Sequence, residues 1–180
     1  MLASEAVTLE RATPDMAPLM ENLLELYIHD LSGIFAVELG PYGRFGYSKL
    51  PLYWADSVGR HIFLIKCGRR VAGLVMATRG SPASQDPTDL DVAEFFVLRA
   101  FRRSGVGRQA AFRLWDTIRG RWVVRVVATN ETGVSFWSEV VRSYTSGMFG
   151  ETTLSEAPGA WRVFTFESRT DGPGSRGHDE

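Results

Sequence analysis

Cysteine is nearly absent: Cys67 is the only one in the chain, so an internal disulfide and a cysteine-based metal cluster are both excluded. It lies in the apolar run 61–67, where a buried strand thiol is the expected state. An excess of one charge is lacking as well. Arginine greatly outnumbers lysine, but the net charge is only −1, so no overall field draws the chain to nucleic acid or to an anionic membrane. Long hydrophobic runs are also missing, because 62–65 and 71–77 fall far short of the roughly 20 residues a membrane helix needs. Residues 1–5 show no basic segment leading into an apolar stretch of signal-peptide length. A cytoplasmic location is the expectation. His29, His61 and His178 stand in no metal or triad constellation.

What is present suits one globular domain. The chain has 180 residues, 44% hydrophobic and 23% charged, enough to bury a core without disulfides or metals. Residues 168–180 are mostly Gly, Pro, Ser, Arg and Asp, too polar to pack, so a domain over 1–167 and a disordered tail are expected.

Along the chain, 7–13 alternates like a half-buried strand, and Pro14-Asp15 opens a helix whose apolar positions Leu19, Met20, Leu23, Leu24, Tyr27, Ile28 and Leu31 recur at helical spacing up to Gly33. Residues 33–60 mix glycines, prolines and six aromatic rings. They read either as a loop or short-helix excursion carrying binding residues, or as a structured loop burying its own aromatics. Runs 61–67 and 71–78 form a hairpin around Gly68-Arg69-Arg70. A surface loop over 80–89 precedes a strand at 90–98, and helical spacing returns from Val106 until Gly120. The strand 122–128 is apolar nearly throughout and should lie inside the sheet. A helix over 132–142 and strands at 145–151 and 161–167, turning at Ala157-Pro158-Gly159, complete the order. Trp115, Trp122 and Trp161 are expected in the core. Hairpins beside α-crossovers imply an α/β fold with a mixed, mostly antiparallel sheet flanked by helices.

The turn Arg102-Arg103-Ser104-Gly105-Val106-Gly107 stands between a strand and a helix. Its two glycines let backbone N–H groups converge on an anion, the helix N-terminus adds partial positive charge, and Arg102, Arg103 and Arg108 add more. The alternative is a plain strand-to-helix turn with solvated arginines. A dinucleotide fingerprint fits G-x-G-x-x-A at 105–110 but does not follow its strand directly, and the next strand ends in Thr129-Asn130 rather than an acidic residue. A phosphate-binding P-loop fails for want of its lysine and hydroxyl.

Strand 92–98, the turn Arg102-x-x-Gly105-x-Gly107, the following helix, strand 122–128, Asn130 and Phe136-Trp137 together resemble the central motifs of the GNAT acetyltransferase superfamily. The likeness spans about 7–167 and implies a GNAT-like acyl-CoA N-acyltransferase fold. It also implies acetyl-CoA as cosubstrate. By that resemblance, the backbone at Phe96, Val97 and Leu98 would pair with the pantetheine arm. The amides of Arg103, Ser104, Gly105, Val106, Gly107 and Arg108, with Arg102, would hold the pyrophosphate. Asn130 would bond the pantetheine chain and Phe136 would line the groove.

Transfer to an amine needs a base, since an ammonium of pKa ~10.4 is protonated at neutral pH. Glu94 is the first candidate and Asp91 the second, either acting directly or through a water; for Asp91 a solvent-facing strand carboxylate is the competing reading. A backbone N–H near Val97 or Leu98 would meet developing oxyanion charge. No metal is called for. The tyrosine that protonates the leaving thiolate in many GNAT enzymes is matched here by Trp137, whose indole cannot do so. An N-acetyltransferase acting on a small-molecule or peptide amine is therefore the leading reading, with a non-catalytic acyl-CoA-binding module as the alternative. Monomer and homodimer both remain open.

Overall fold

The computed structural model describes residues 5–156 and 159–169. Seven strands form one sheet in the order β1-β2-β3-β4-β5-β7-β6. They are β1 (Val7–Arg11), β2 (Arg60–Cys67), β3 (Arg70–Arg79), β4 (Leu90–Val97), β5 (Arg121–Val127), β6 (Gly150–Glu156) and β7 (Gly159–Glu167). Only β4 and β5 run parallel. The helices are α1 (Ala17–Leu31), α2 (Leu50–Ala55), α3 (Val106–Thr117) and α4 (Glu131–Thr145).

Strand periodicity sorts the side chains into two cores. Phe63, Ile65, Val75, Trp122, Val124, Phe164 and Phe166 pack with Ala110, Leu114 and Trp115 of α3 and Val140, Val141 and Tyr144 of α4. On the other face, Ile62, Leu64, Leu74, Met76 and Phe96 pack with Met20, Leu23 and Leu24 of α1 and with Leu50 and Tyr53 of α2. Alternation along the strands therefore assigns one face to α3 and α4 and the other to α1 and α2. Cys67 is buried at the end of β2, as expected.

The hairpin is tighter than the sequence implied. Cys67 pairs with Arg70, leaving only Gly68-Arg69 as the loop. Gly68 takes φ +58° and Arg69 a negative φ, the pattern of a type II′ turn, which matches the strand twist.

Three expectations need correction. Residues 145–149 are not strand: α4 runs on to Thr145, because Tyr144 and Thr145 are buried. It ends at Ser146 and Gly147 in left-handed conformation, with Gly147 N–H donating to Arg142 C=O at 3.0 Å, a C-terminal cap that delays β6. Trp161 is not in either core; it is half-buried and stacks on Phe35 at 6.2 Å. Asp91 is not solvent-facing but fully buried. The turn at Ala157-Pro158 and the tail over 170–180 lie outside the described residues. Ser168 exchanges hydrogen bonds with Gly120, its N–H donating to the carbonyl and its Oγ accepting from the amide, each at 2.9 Å.

Candidate active site

The parallel ladder between β4 and β5 is short. It contains only Leu90 opposite Trp122 and Asp91 opposite Val123, after which the strands part. A bulge in β4 accounts for the divergence: Met76 of β3 faces Glu94 while Ala77 faces Val92, so Ala93 is the extra residue. Such an insertion bends its strand and sharpens the local twist.

The same bulge resets which side chains share a face. Val92 and Phe95, three apart, both pack toward α3 and α4. Asp91 and Glu94 are thereby brought together on the α1 face, where simple alternation would have put them on opposite sides. This juxtaposition of the two candidate bases is invisible in the period of the sequence.

Backbone directions in β4 separate Phe96, Val97 and Leu98. Leu98 N–H donates to Ala72 C=O of β3 at 2.8 Å, and Leu98 C=O accepts from Phe101 N–H at 2.9 Å. Val97, opposite Gly73 in the adjacent pair of that ladder, must turn its own N–H and C=O away from β3, toward the gap. Its carbonyl accepts from Arg102 Nε at 2.7 Å. Val97 is thus the residue of the three whose amide faces the opening. Leu98 is unsuited as an oxyanion donor because its N–H is spent, and Phe96 is buried in the α1-side core against Tyr27, ring centroids 5.7 Å apart.

At the mouth of the gap the chain forms a cradle of main-chain amides. Arg103 has φ +62° and Gly105 φ +82°, with Ser104 between them at negative φ. Alternating hands of this kind make successive amides converge. Gly105 is the N-cap of α3 and provides no capping side chain. The first internal bond of the helix is Gln109 N–H to Gly105 C=O at 3.0 Å, so the amides of Val106, Gly107 and Arg108 have no intrahelical acceptor. Helix end and turn together suit a phosphate. Gly107 is needed for closeness: a Cβ there would lie 3.2 Å from Phe136 Cζ and 3.5 Å from Val97 Cγ2.

Two of the three arginine side chains at this turn, Arg102 and Arg108, are engaged elsewhere. Arg102 and Arg99 both pair with Asp30 of α1, whose carboxyl burial would raise but whose two arginine partners hold below the usual range. Arg108 donates to Ser143 Oγ at 3.0 Å and lies over the Phe112 ring. Arg103 and Ser104 are exposed, and Ser104 Oγ donates to Phe101 C=O at 2.7 Å. Charge around the cradle is therefore left to the main-chain amides and to Arg103, which has no hydrogen-bond or ion-pair partner among the described residues, while Arg102 anchors the turn to α1 and β4.

Across the gap, Asn130 caps α4, its Oδ1 accepting from Gly133 N–H at 3.0 Å. Phe136 is half-buried and packs against Phe95 with centroids 6.0 Å apart. Trp137 is buried, edge-on to Phe95 and Phe136, each at 4.9 Å. Tyr144 is also buried and donates to Asp116 Oδ1 at 2.8 Å.

On the α1 face Glu94 is surrounded by tyrosines. Tyr47 donates its hydroxyl to Glu94 Oε1 at 2.9 Å. Burial pushes the Glu94 carboxyl upward, partly offset by Tyr27, Tyr47, Lys49 and Arg125. Burial and the Glu94 charge in turn raise the hydroxyls of Tyr27 and Tyr47, and push Tyr53 up to about 12. A carboxyl raised toward neutrality is better matched to taking a proton than an ordinary one. Tyr47 also lines an open cleft of about 710 Å³ between the start of α1 and residues 44–54, walled by Glu21, Glu25, Phe45 and Trp54. Glu25 accepts from the amides of Phe45 and Gly46 at 2.8 Å each, holding the loop that carries Tyr47.

Asp91 is placed differently from Glu94. Its Oδ2 accepts from Arg125 Nε at 2.9 Å, pairs with Arg125 Nη2 at 2.8 Å and accepts from Ser81 Oγ at 3.2 Å. Burial raises its carboxyl, and Arg125 with Ser81 pulls it part of the way back. A carboxylate held on this many donors is poorly placed to take a substrate proton. Tyr27, Tyr47 and Arg125 were not singled out as site residues in the sequence. For Arg125 there was a signal, a lone charge in an otherwise apolar strand, which requires a partner when buried.

No protein-family model matches this sequence, and no curated protein does. Solved structures do match. An acetyltransferase from Thermus thermophilus aligns with TM-score 0.64 at 20% identity, over 92% of this chain and 99% of that one. Spermidine N-acetyltransferase from Vibrio cholerae, in complex with CoA and spermine, gives 0.63 at 16%, over 90% and 95%. A ribosomal L7/L12 alpha-N-protein acetyltransferase in complex with coenzyme A gives 0.63 at 13%, over 95% and 98%. The chain has the fold of the GNAT acetyltransferases, with its seven-stranded sheet and helices on both faces.

Proposed function

We propose that this protein is an N-acetyltransferase that uses acetyl-CoA to acetylate a primary amine by direct attack in a ternary complex. The observation that carries the reading is the opening between β4 and β5. It has the uncapped α3 N-terminus at its mouth, a free Val97 amide on its wall and Glu94 on the adjoining face. A diphosphate would sit on the amides of 103–108, and an extended pantetheine arm would take the place of the missing ladder partner of β4. That CoA is bound in the spermidine and ribosomal-protein acetyltransferase structures supports this choice of cosubstrate.

The acetyl thioester supplies the electrophile. Glu94, buried enough to favour its neutral form after the proton arrives, removes a proton from the incoming ammonium. The Val97 N–H points where charge develops on the carbonyl oxygen. Tyr47 orients the Glu94 carboxylate. A thiolate of pKa roughly 8.5 leaves without an obligatory side-chain acid, which accommodates Trp137 lying in the core.

Trp137 is also the observation that favours a second reading, a non-catalytic acyl-CoA-binding module. Thiol release from acetyl-CoA with an amine library separates the two. Turnover that falls on Glu94→Gln supports the enzyme; tight acetyl-CoA binding with no thiol release for any amine supports the module.

A further inference from the structure

Arg125 does more than neutralise Asp91. On β5 it shares a face with Val123 and Val127, because Trp122, Val124 and Val126 belong to the opposite core. That is the face bearing Glu94. The Arg125 side chain is 22% exposed, and its charge acts on both Glu94 and Tyr27. One edge, Nε with Nη2, is occupied by the fully buried Asp91. The plane rests over the Trp161 ring, 5.8 Å from its centroid, and Trp161 is itself stacked on Phe35 from the segment after α1. Three constraints therefore hold the group still: a carboxylate on one edge, an aromatic beneath and the strand behind. The remaining Nη1 edge has no hydrogen-bond partner among the described residues.

A guanidinium fixed in this manner is a preorganised receptor for a planar anion. Three other carboxylates of this side are already matched. Glu21 and Glu25 share Arg44, and Asp30 holds Arg99 and Arg102. Glu94 is the carboxylate at the gap with no arginine or lysine within ion-pair distance among the described residues. One free carboxyl suits one ammonium; a polyamine would bring further cations toward Arg125 and Lys49.

Resting on the acetyltransferase reading, we propose that the acceptor is an amine bearing a carboxylate, whose amino group meets Glu94 while its carboxylate is bound by the free edge of Arg125. The substrate class is then amino-acid-like, and distinct from the spermidine of one structural neighbour.

The test compares ω-amino acids of two to six carbons with the alkylamines and α,ω-diamines of equal length, by thiol release and by calorimetry on the CoA-loaded protein. At one chain length the amino acid should exceed both others at least tenfold in kcat/KM, mainly through KM. Arg125→Lys should collapse that ratio toward one. An Asp91→Asn/Arg125→Gln pair, which leaves no unpaired buried charge, should do the same while acetyl-CoA still raises Tm. Equal use of alkylamines or diamines, or a ratio unchanged in variants that fold, overturns the proposal. Carboxylate-dependent binding without thiol release from any amine would sink the acetyltransferase reading yet support the Arg125 contact; loss of that dependence in binding would refute the contact itself.

Discussion

Tyr47 donates its hydroxyl to Glu94 at 2.9 Å, joining an irregular segment after α1 to the bulged half of β4. The bond ties the segment that carries Tyr47 to the residue proposed to do the proton transfer. Loop order and base orientation are therefore linked.

Glu94→Gln keeps the shape and the Tyr47 contact but removes the base. A general base contributes about 10²- to 10⁴-fold, so kcat/KM for the best amine should drop at least 100-fold in steady-state assays. Stability should move the other way. Because burial raises the folded-state carboxyl, Glu94 costs nothing below its unfolded pKa and destabilises increasingly as pH rises from there to the folded value. The variant should thus gain more Tm relative to wild type at pH 8 than at pH 4; an equal difference at both would contradict a raised Glu94.

Tyr47→Phe deletes a donor that favours the charged form of Glu94. The acid limb of the kcat/KM profile should shift to higher pH, with the plateau rate at alkaline pH largely retained. A loss of rate at every pH, with the limb in place, would assign Tyr47 to the substrate instead.

Gly105 sits at φ +82°. Gly105→Ala should cost about 1–2 kcal/mol through the left-handed conformation, read as a lower denaturation midpoint. Gly105→Glu adds a negative charge to the cradle and should abolish the Tm rise that saturating acetyl-CoA gives. Persistence of that rise would mean the amides of 103–108 do not hold a diphosphate.

Asp91→Ala strands Arg125 beside the sheet interior. Breaking a buried pair costs about 3–5 kcal/mol, and the partial exposure of Arg125 puts the expected loss near the lower end. Urea denaturation of Asp91→Ala against the Asp91→Asn/Arg125→Gln pair checks this, the pair being the more stable.

Local pattern was enough for α1, α3, the β2–β3 hairpin and the glycine turn before α3, since each rests on neighbours a few residues apart: helical spacing, a glycine at a positive-φ position, an N-terminus without a cap. The end of α4 was missed because the left-handed Ser146-Gly147 pair lies inside the strand-like run 145–151, and Tyr144 just before it is buried only by packing on α3 and β7. Arg102 was legible as a residue of the turn, but its commitment to Asp30 involves a helix some 70 positions earlier in the chain.

By itself, then, the order of residues determined the succession of strands and helices, the cradle at 103–108 and Glu94 as a candidate base. Tertiary structure alone decided that β4 leaves β5 after Asp91, that Asp91 is tied up by Arg125, and that Tyr47 and Tyr27 converge on Glu94. The physical reason is the extra residue at Ala93. A bulge is defined by what lies opposite on the neighbouring strand, so the face each carboxylate occupies exists only once β3, β4 and β5 have paired.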